Sequence, residues 1–193
     1  ASIIQGSFGF AGGTVTSDKQ YETDYALEYQ AFKYFIETAN GCDALKGGIV
    51  IMAAGNDALP YSAYPAAHHD IVRIDGLPAP YTNYGPGSNV SAPGGELTSY
   101  VVATGILSTV PVEFGGDYGY KHGTSMACPH VSGVAALIVS YFGGPGFTND
   151  MLWDKLIGGS NKEILSYTNQ IGGLLDAYGS FLYGEDIEVN PIT

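Results

Sequence analysis

The sequence predicts an α/β fold in which a mostly parallel sheet lies between helices, and two stretches carry that expectation. Ile49 to Ala54 is short and apolar throughout, the composition of a strand covered on both faces in a parallel sheet. Gly123 to Val139 is longer and apolar almost all the way round. It reads as a buried helix, since a surface helix would show a polar face. Strand-like and helix-like segments alternate around these two, with no repeat and no linker, so residues 1–193 are read as a single domain.

The other elements follow in chain order. Ala1 to Gly6 reads as a strand that ends at Ser7-Phe8-Gly9. Tyr21, Tyr25, Tyr29, Phe32 and Ile36 recur at steps of three or four, giving one helical face, with Asn40-Gly41 as the stop. The Ile49 to Ala54 strand ends abruptly at Gly55-Asn56. Short strands are expected over Ile71 to Ile74, Asn89 to Ala92 and Gly105 to Val110, and a hairpin within Glu113 to Lys121. Thr148 can cap a helix over Met151 to Ile157. Gly173 to Ala177 leads into a last helix before an acidic tail.

Composition narrows the function. Hydrophobic residues make up 45% and charged ones 13%, which is globular material. A net charge of -12 argues against nucleic acid or an anionic membrane as partner. Cys42 and Cys128 are too few for a disulfide framework. No signal peptide is visible, and no apolar run long enough to span a bilayer is expected.

Within Gly123 to Val139, Ser125 stands just after a glycine turn, at the start of the buried helix, with Thr124 placed to cap it. That is the positive end of the helix, where an alkoxide and then an oxyanion would meet fixed dipoles. A capping serine on a core helix would look similar at Ser125 alone. Asn56, in a turn after a buried strand, could aim its amide into a cleft, or could be a turn residue chosen for tolerance of left-handed φ.

The whole string GTSMACPHVSGVAAL resembles the serine motif of the subtilisin-like serine proteases, peptidase S8 type, position by position. Ser7-Phe8-Gly9, Ile49 to Asn56, Tyr64-Pro65 and Val90 to Gly94 resemble further family segments in the same order. The resemblance implies the subtilisin-like three-layer α/β fold and a secreted or cell-envelope serine endopeptidase. It makes Ser125 the nucleophile and Asn56 the oxyanion-hole donor. A peptide or protein substrate would pair with Ser7, Phe8 and Gly9, while Ala53, Ala54 and Gly55 line one pocket wall and Ala63 its floor. None of these is charged, so an apolar or aromatic side chain is expected before the scissile bond. Cys128 is expected to be a free thiol. No cofactor is implied; calcium is common in the family, but no ligand set for it, or for another metal, is assignable in the sequence.

The family's order is Asp, then His, then Ser, and here the pattern departs from it. Asp75-Gly76 is followed by Leu77 where the Asp motif would be completed, and it follows Tyr64-Pro65. His122-Gly123-Thr124 spells the His motif but overlaps the serine motif. His68-His69 lacks the motif's glycine and threonine, and His130 matches a structural family position. The catalytic Asp and His are therefore expected upstream of Ala1, with the N-terminal part of the fold missing and the chain inactive alone. Ala1 to Gly6 would then be an open edge inviting that missing part or a second copy. The alternative function is a non-catalytic subtilisin-like peptide-binding module. A carbohydrate-binding surface leaves the serine motif unexplained, and an α/β-hydrolase elbow would need a second glycine that Ala127 replaces.

Overall fold

The computed structural model describes residues 1–39, 43–69, 71–76, 79–85, 89–97, 104–163 and 171–185. The expected Asn40-Gly41 stop, Cys42, Leu77 and the acidic tail beyond 185 lie outside these residues. Five strands form one parallel sheet: β1 (Ile3–Gly6), β2 (Ile49–Ala53), β3 (Val72–Gly76), β4 (Val90–Ala92) and β7 (Gly173–Leu174), hydrogen-bonded in that order. β5 (Ile106–Thr109) and β6 (Tyr118–Lys121) make a separate antiparallel pair. The hairpin expected within 113–121 thus spans a wider loop, whose middle is a 3-10 turn at Val112–Phe114.

β2 shows why the fold has three layers. All five of its residues are buried, and alternate side chains point to opposite faces. Ile49, Ile51 and Ala53 join Ala127, Cys128, Val131, Ala135 and Ile138 in the larger core. Val50 and Met52 pack on the other side, against Phe32, Phe35 and Ile36. The first side is covered by helices α3 (Thr124–Phe142), α4 (Asn149–Gly158) and α5 (Ala177–Leu182), the second by α2 (Ala26–Thr38).

Local chemistry sets the helix ends. Ser17 caps α1 (Asp18–Asp24) by accepting from Gln20 N, and Gln20 accepts in return from Thr16 N. Thr148 caps α4 by accepting from Met151 N, and Asp176 caps α5 through Gly179 N. The single helix expected over Tyr21 to Ile36 is instead two. Tyr25, at φ -121 and ψ 35, ends α1 and begins α2. Its ring lies tilted against that of Phe10, with centroids 4.1 Å apart, at the kink.

α3 corrects two expectations. It is buried along one stripe only, Ala127, Cys128, Val131, Ala135 and Ile138, while Leu137 and Tyr141 on the opposite side are 58% and 73% exposed. Its residues are apolar almost all round, but the described structure covers only the side that meets the sheet, α4 and α5. At 19 residues it is also long and apolar enough to cross a membrane by length and composition. It packs against β1, β2, β3 and β4 and behaves as the core helix of this sheet.

Candidate active site

β2 and α3 meet at the C-terminal end of the sheet, and their junction builds the site. Gly55 and Gly123 turn the chain there with φ of +105 and +135, values that L side chains rarely adopt. Space excludes a side chain at Gly55 and is tight at Gly123. A Cβ on Gly55 would lie 2.4 Å from Asn83 Nδ2, and one on Gly123 would lie 3.3 Å from both amide atoms of Asn56. Ser125 follows as the second residue of α3, partly buried at the mouth of the cleft.

The cap of α3 is not Thr124. Gly123 occupies the cap position and offers no side chain, and Thr124 is the first helical residue. Thr124 Oγ1 instead accepts from Gly55 N at 3.2 Å, tying helix to strand end. Asn56 performs the capping from another part of the chain: its Oδ1 accepts from Thr124 N at 2.8 Å and from Thr124 Oγ1 at 3.1 Å. Because a backbone N–H can only donate, this bond decides which way the amide faces. Nδ2 is left at the other end of the planar amide, with no protein acceptor among the described residues. The N–H of Ser125, one of the first-turn donors that no helix satisfies internally, likewise has none. Two undersatisfied donors thus belong to residues that line the same cleft as Ser125 Oγ.

Asn83 fixes this turn and was not legible beforehand. It is fully buried; its Oδ1 accepts from Asp57 N and Leu59 N at 2.9 and 3.1 Å, and its Nδ2 donates to Ala54 O at 3.1 Å. Three bonds from one amide hold the segment in which Asn56 sits. Nothing near Asn83 in sequence signals this, since its partners lie 24 to 29 residues away.

A cleft of about 250 Å³ opens over these groups. Ser125, Asn56, Ser7, Phe8, Gly9, Ala53, Gly55 and Ala63 all line it, so eight of the nine residues singled out from the sequence converge. Ala54 does not reach it: the side chain is fully buried behind the wall and its carbonyl is taken by Asn83 and Ala63. Ser7 Oγ donates to Ser125 O at 2.9 Å, and Ser125 Oγ makes only a long 3.5 Å contact to Ser7 O. The uncharged lining expected from the sequence needs a correction, because the exposed Asp57 also borders the cleft, with Phe10 and Ala11. Adjacency to Asn56 and to Ser7-Phe8-Gly9 was the available signal for all three.

None of the described histidines borders this cleft. His122 lies against Tyr81, ring centroids 5.2 Å apart, and His130 Nδ1 is 2.8 Å from Met126 O. His68 and His69 pair with Glu22 and Asp18. Cys128, fully buried with its Sγ against Gly6 O and Ile51 O, is a free thiol. Burial pushes it up to about 11, so it stays protonated and inert at neutral pH. Among the described residues, the side chains close enough together to share a metal ion are Asp18, His68 and His69. This set mixes nitrogen with oxygen and matches calcium's all-oxygen preference poorly.

A parallel sheet between helix layers, with a serine at the N-terminus of its core helix and N–H donors without protein acceptors in the same cleft, has the layout used for nucleophilic serine chemistry on α/β folds. The comparisons make the class specific: residues 1–180 match the Subtilase family (Peptidase_S8), and the chain belongs to that family of serine proteases. It is 38% identical over 159 residues to an extracellular basic protease of Dichelobacter nodosus, covering 76% of this chain and 24% of that protein. To a thermophilic serine proteinase of Bacillus sp. strain AK1 it is 29% identical, over 77% of this chain and 31% of the relative. Among solved structures, a protease from Pseudoalteromonas arctica PAMC 21717 superposes with a TM-score of 0.68 at 28% identity, over 94% of this chain and 50% of that one. The chain therefore spans a quarter to a third of these two relatives' length, and half of the solved chain.

Proposed function

We propose that this chain is the nucleophile-bearing part of a secreted serine endopeptidase. The convergence of Ser125 with two unpaired N–H donors in one cleft carries the reading. A peptide lies as an added strand along Ser7 to Gly9, held by main-chain bonds. Ser125 Oγ gives its proton to the base and attacks the scissile carbonyl; the C–N bond of the tetrahedral intermediate then breaks, the amine leaves with that proton, and an acyl-enzyme remains. The developing oxyanion is received by Asn56 Nδ2 and Ser125 N–H at the positive end of α3. Water then releases the acyl group.

The serine needs a base, and the described residues put no imidazole in the cleft. The base and its carboxylate partner come from the part of the subtilase unit not included in these 193 residues. Two unfinished surfaces support the same complement: β1 is the outer strand of the described sheet, and α3 leaves Leu137 and Tyr141 bare. The 193-residue chain alone should neither turn over peptides nor remain monomeric in light scattering as concentration rises. The absent imidazole equally favours a second reading, a non-catalytic peptide-binding module.

Hydrolysis of a casein or apolar peptide substrate by the native polypeptide, and its loss in Ser125→Ala with peptide binding retained, is the expected result. Turnover that survives Ser125→Ala overturns the nucleophile. Binding without turnover in the unaltered polypeptide establishes the module instead.

A further inference from the structure

On the face of the sheet away from α3, Asp18 and Glu22 stand one turn apart on α1, and His68 and His69 follow the segment that floors the cleft. Their side chains already meet. His69 Nδ1 is 2.8 Å from Asp18 Oδ2, and His68 Nε2 is 3.2 Å from Glu22 Oε1. The two imidazoles stack, with centroids 4.4 Å apart, so both present to α1 together. One ligand atom each from Asp18, His68 and His69 falls within 4.8 Å of the others. Tetrahedral zinc, with bonds of about 2.0–2.2 Å, spaces its ligands about 3.3 Å apart. The two bonded pairs are already near that spacing, and rotation of the side chains has to close the wider separations, up to 4.8 Å within Asp18, His68 and His69, and bring Glu22 in beside His68.

We propose that Asp18, Glu22, His68 and His69 form a binding site for a divalent transition ion of the zinc class, separate from the peptidase cleft. The donor chemistry selects the ion. Two imidazole nitrogens with two carboxylates suit zinc or cobalt, whereas calcium takes oxygen ligands in larger number. Charge also balances, since two carboxylates neutralise the ion and both imidazoles bind in the neutral form. That matters because His68 is 2% exposed and a net charge there would be costly.

The outer shell is in place too. Tyr64 O–H donates to Asp18 Oδ1 at 2.7 Å, leaving Oδ2 for the ion and fixing the carboxylate plane. The backbone oxygen of the same Tyr64 accepts from Phe10 N at 2.8 Å, and Ala63 before it lines the cleft. An ion held here clamps α1 to the segment that walls the substrate cleft.

The test is zinc competition against a chromophoric chelator, using untagged native polypeptide stripped of metal. One zinc per chain is expected, and cobalt in its place should give the visible absorption of a tetrahedral site. His69→Ala and Asp18→Asn, both at exposed or half-exposed side chains, should each weaken zinc by at least ~100-fold, with far-ultraviolet dichroism unchanged. Excess calcium should not displace the ion. Ser125→Ala should bind zinc as tightly as the parent, which separates this site from the proposed chemistry. Absence of stoichiometric zinc, or zinc binding undiminished in both His69→Ala and Asp18→Asn, overturns the proposal.

Discussion

Replacing Asn56 by aspartate and, separately, by alanine divides the capping that the structure shows from the oxyanion-donor role proposed for the same side chain. Oδ1 caps α3 by accepting from Thr124 N at 2.8 Å, while Nδ2 is the donor offered to the cleft. Asn56→Asp keeps an acceptor and puts a negative charge at a helix N-terminus, so folding stability should hold or rise by about 0.3–1 kcal/mol. Asn56→Ala loses the cap and should cost about 0.5–1 kcal/mol, the lower part of the usual range because Asn56 is exposed. Catalysis should respond differently. Loss of one oxyanion donor lowers kcat by ~10²–10³, the range known for the corresponding donor of subtilisin, with KM little changed. In Asn56→Asp the new carboxylate also repels the oxyanion, so its loss should be at least as large. Urea unfolding and a chromogenic peptide assay on the native polypeptide measure both quantities. Near-normal kcat in Asn56→Asp, or destabilisation at full kcat in Asn56→Ala, would reduce Asn56 to a cap.

Three further outcomes are expected. Asn83→Ala should destabilise by about 2–4 kcal/mol in urea, because it strands buried partners at Ala54, Asp57 and Leu59, and should lower kcat by loosening the Asn56 turn; unchanged stability would refute it. In a Cys42→Ser background, Cys128 should resist a disulfide reagent at pH 8. Its folded value is raised from the usual 9.0 to about 11, so the unfolded chain loses the proton first, and stability should be flat below pH 9 and fall between pH 9 and 11. Rapid modification of the folded protein at pH 8 would contradict this. Asp57→Asn should lower kcat/KM for substrates with lysine before the scissile bond by ~2–5-fold relative to those with leucine; an equal effect on both would place Asp57 outside the pocket.

Much of the site was legible because its pieces are local strings. The Gly123 to Val139 run carries the proposed nucleophile, the turn and the helix in one stretch, and Ile49 to Asn56 carries the strand and the proposed donor. What escaped depends on contacts distant in sequence. Thr124 looked like the cap, but the capping oxygen arrives from Asn56, 68 residues earlier. Asn83 braces that turn from 24 to 29 residues beyond it. Periodicity at Tyr21, Tyr25 and Tyr29 described one face correctly yet could not show the break at Tyr25, where the ring packs against the sequence-distant Phe10. Apolar composition likewise said nothing of what covers each side of α3. Its outer side, with Leu137 and Tyr141, is uncovered in the described structure.

The role of Ser125 is tested most directly by a fluorophosphonate probe, which phosphonylates a serine only where nucleophile, base and oxyanion donors are assembled. Mass spectrometry of the labelled native polypeptide should place the adduct on Ser125, and Ser125→Ala should remove it. The 193-residue chain by itself should stay unlabelled. An adduct on another residue, or labelling that persists in Ser125→Ala, would contradict the assignment of Ser125 as the nucleophile.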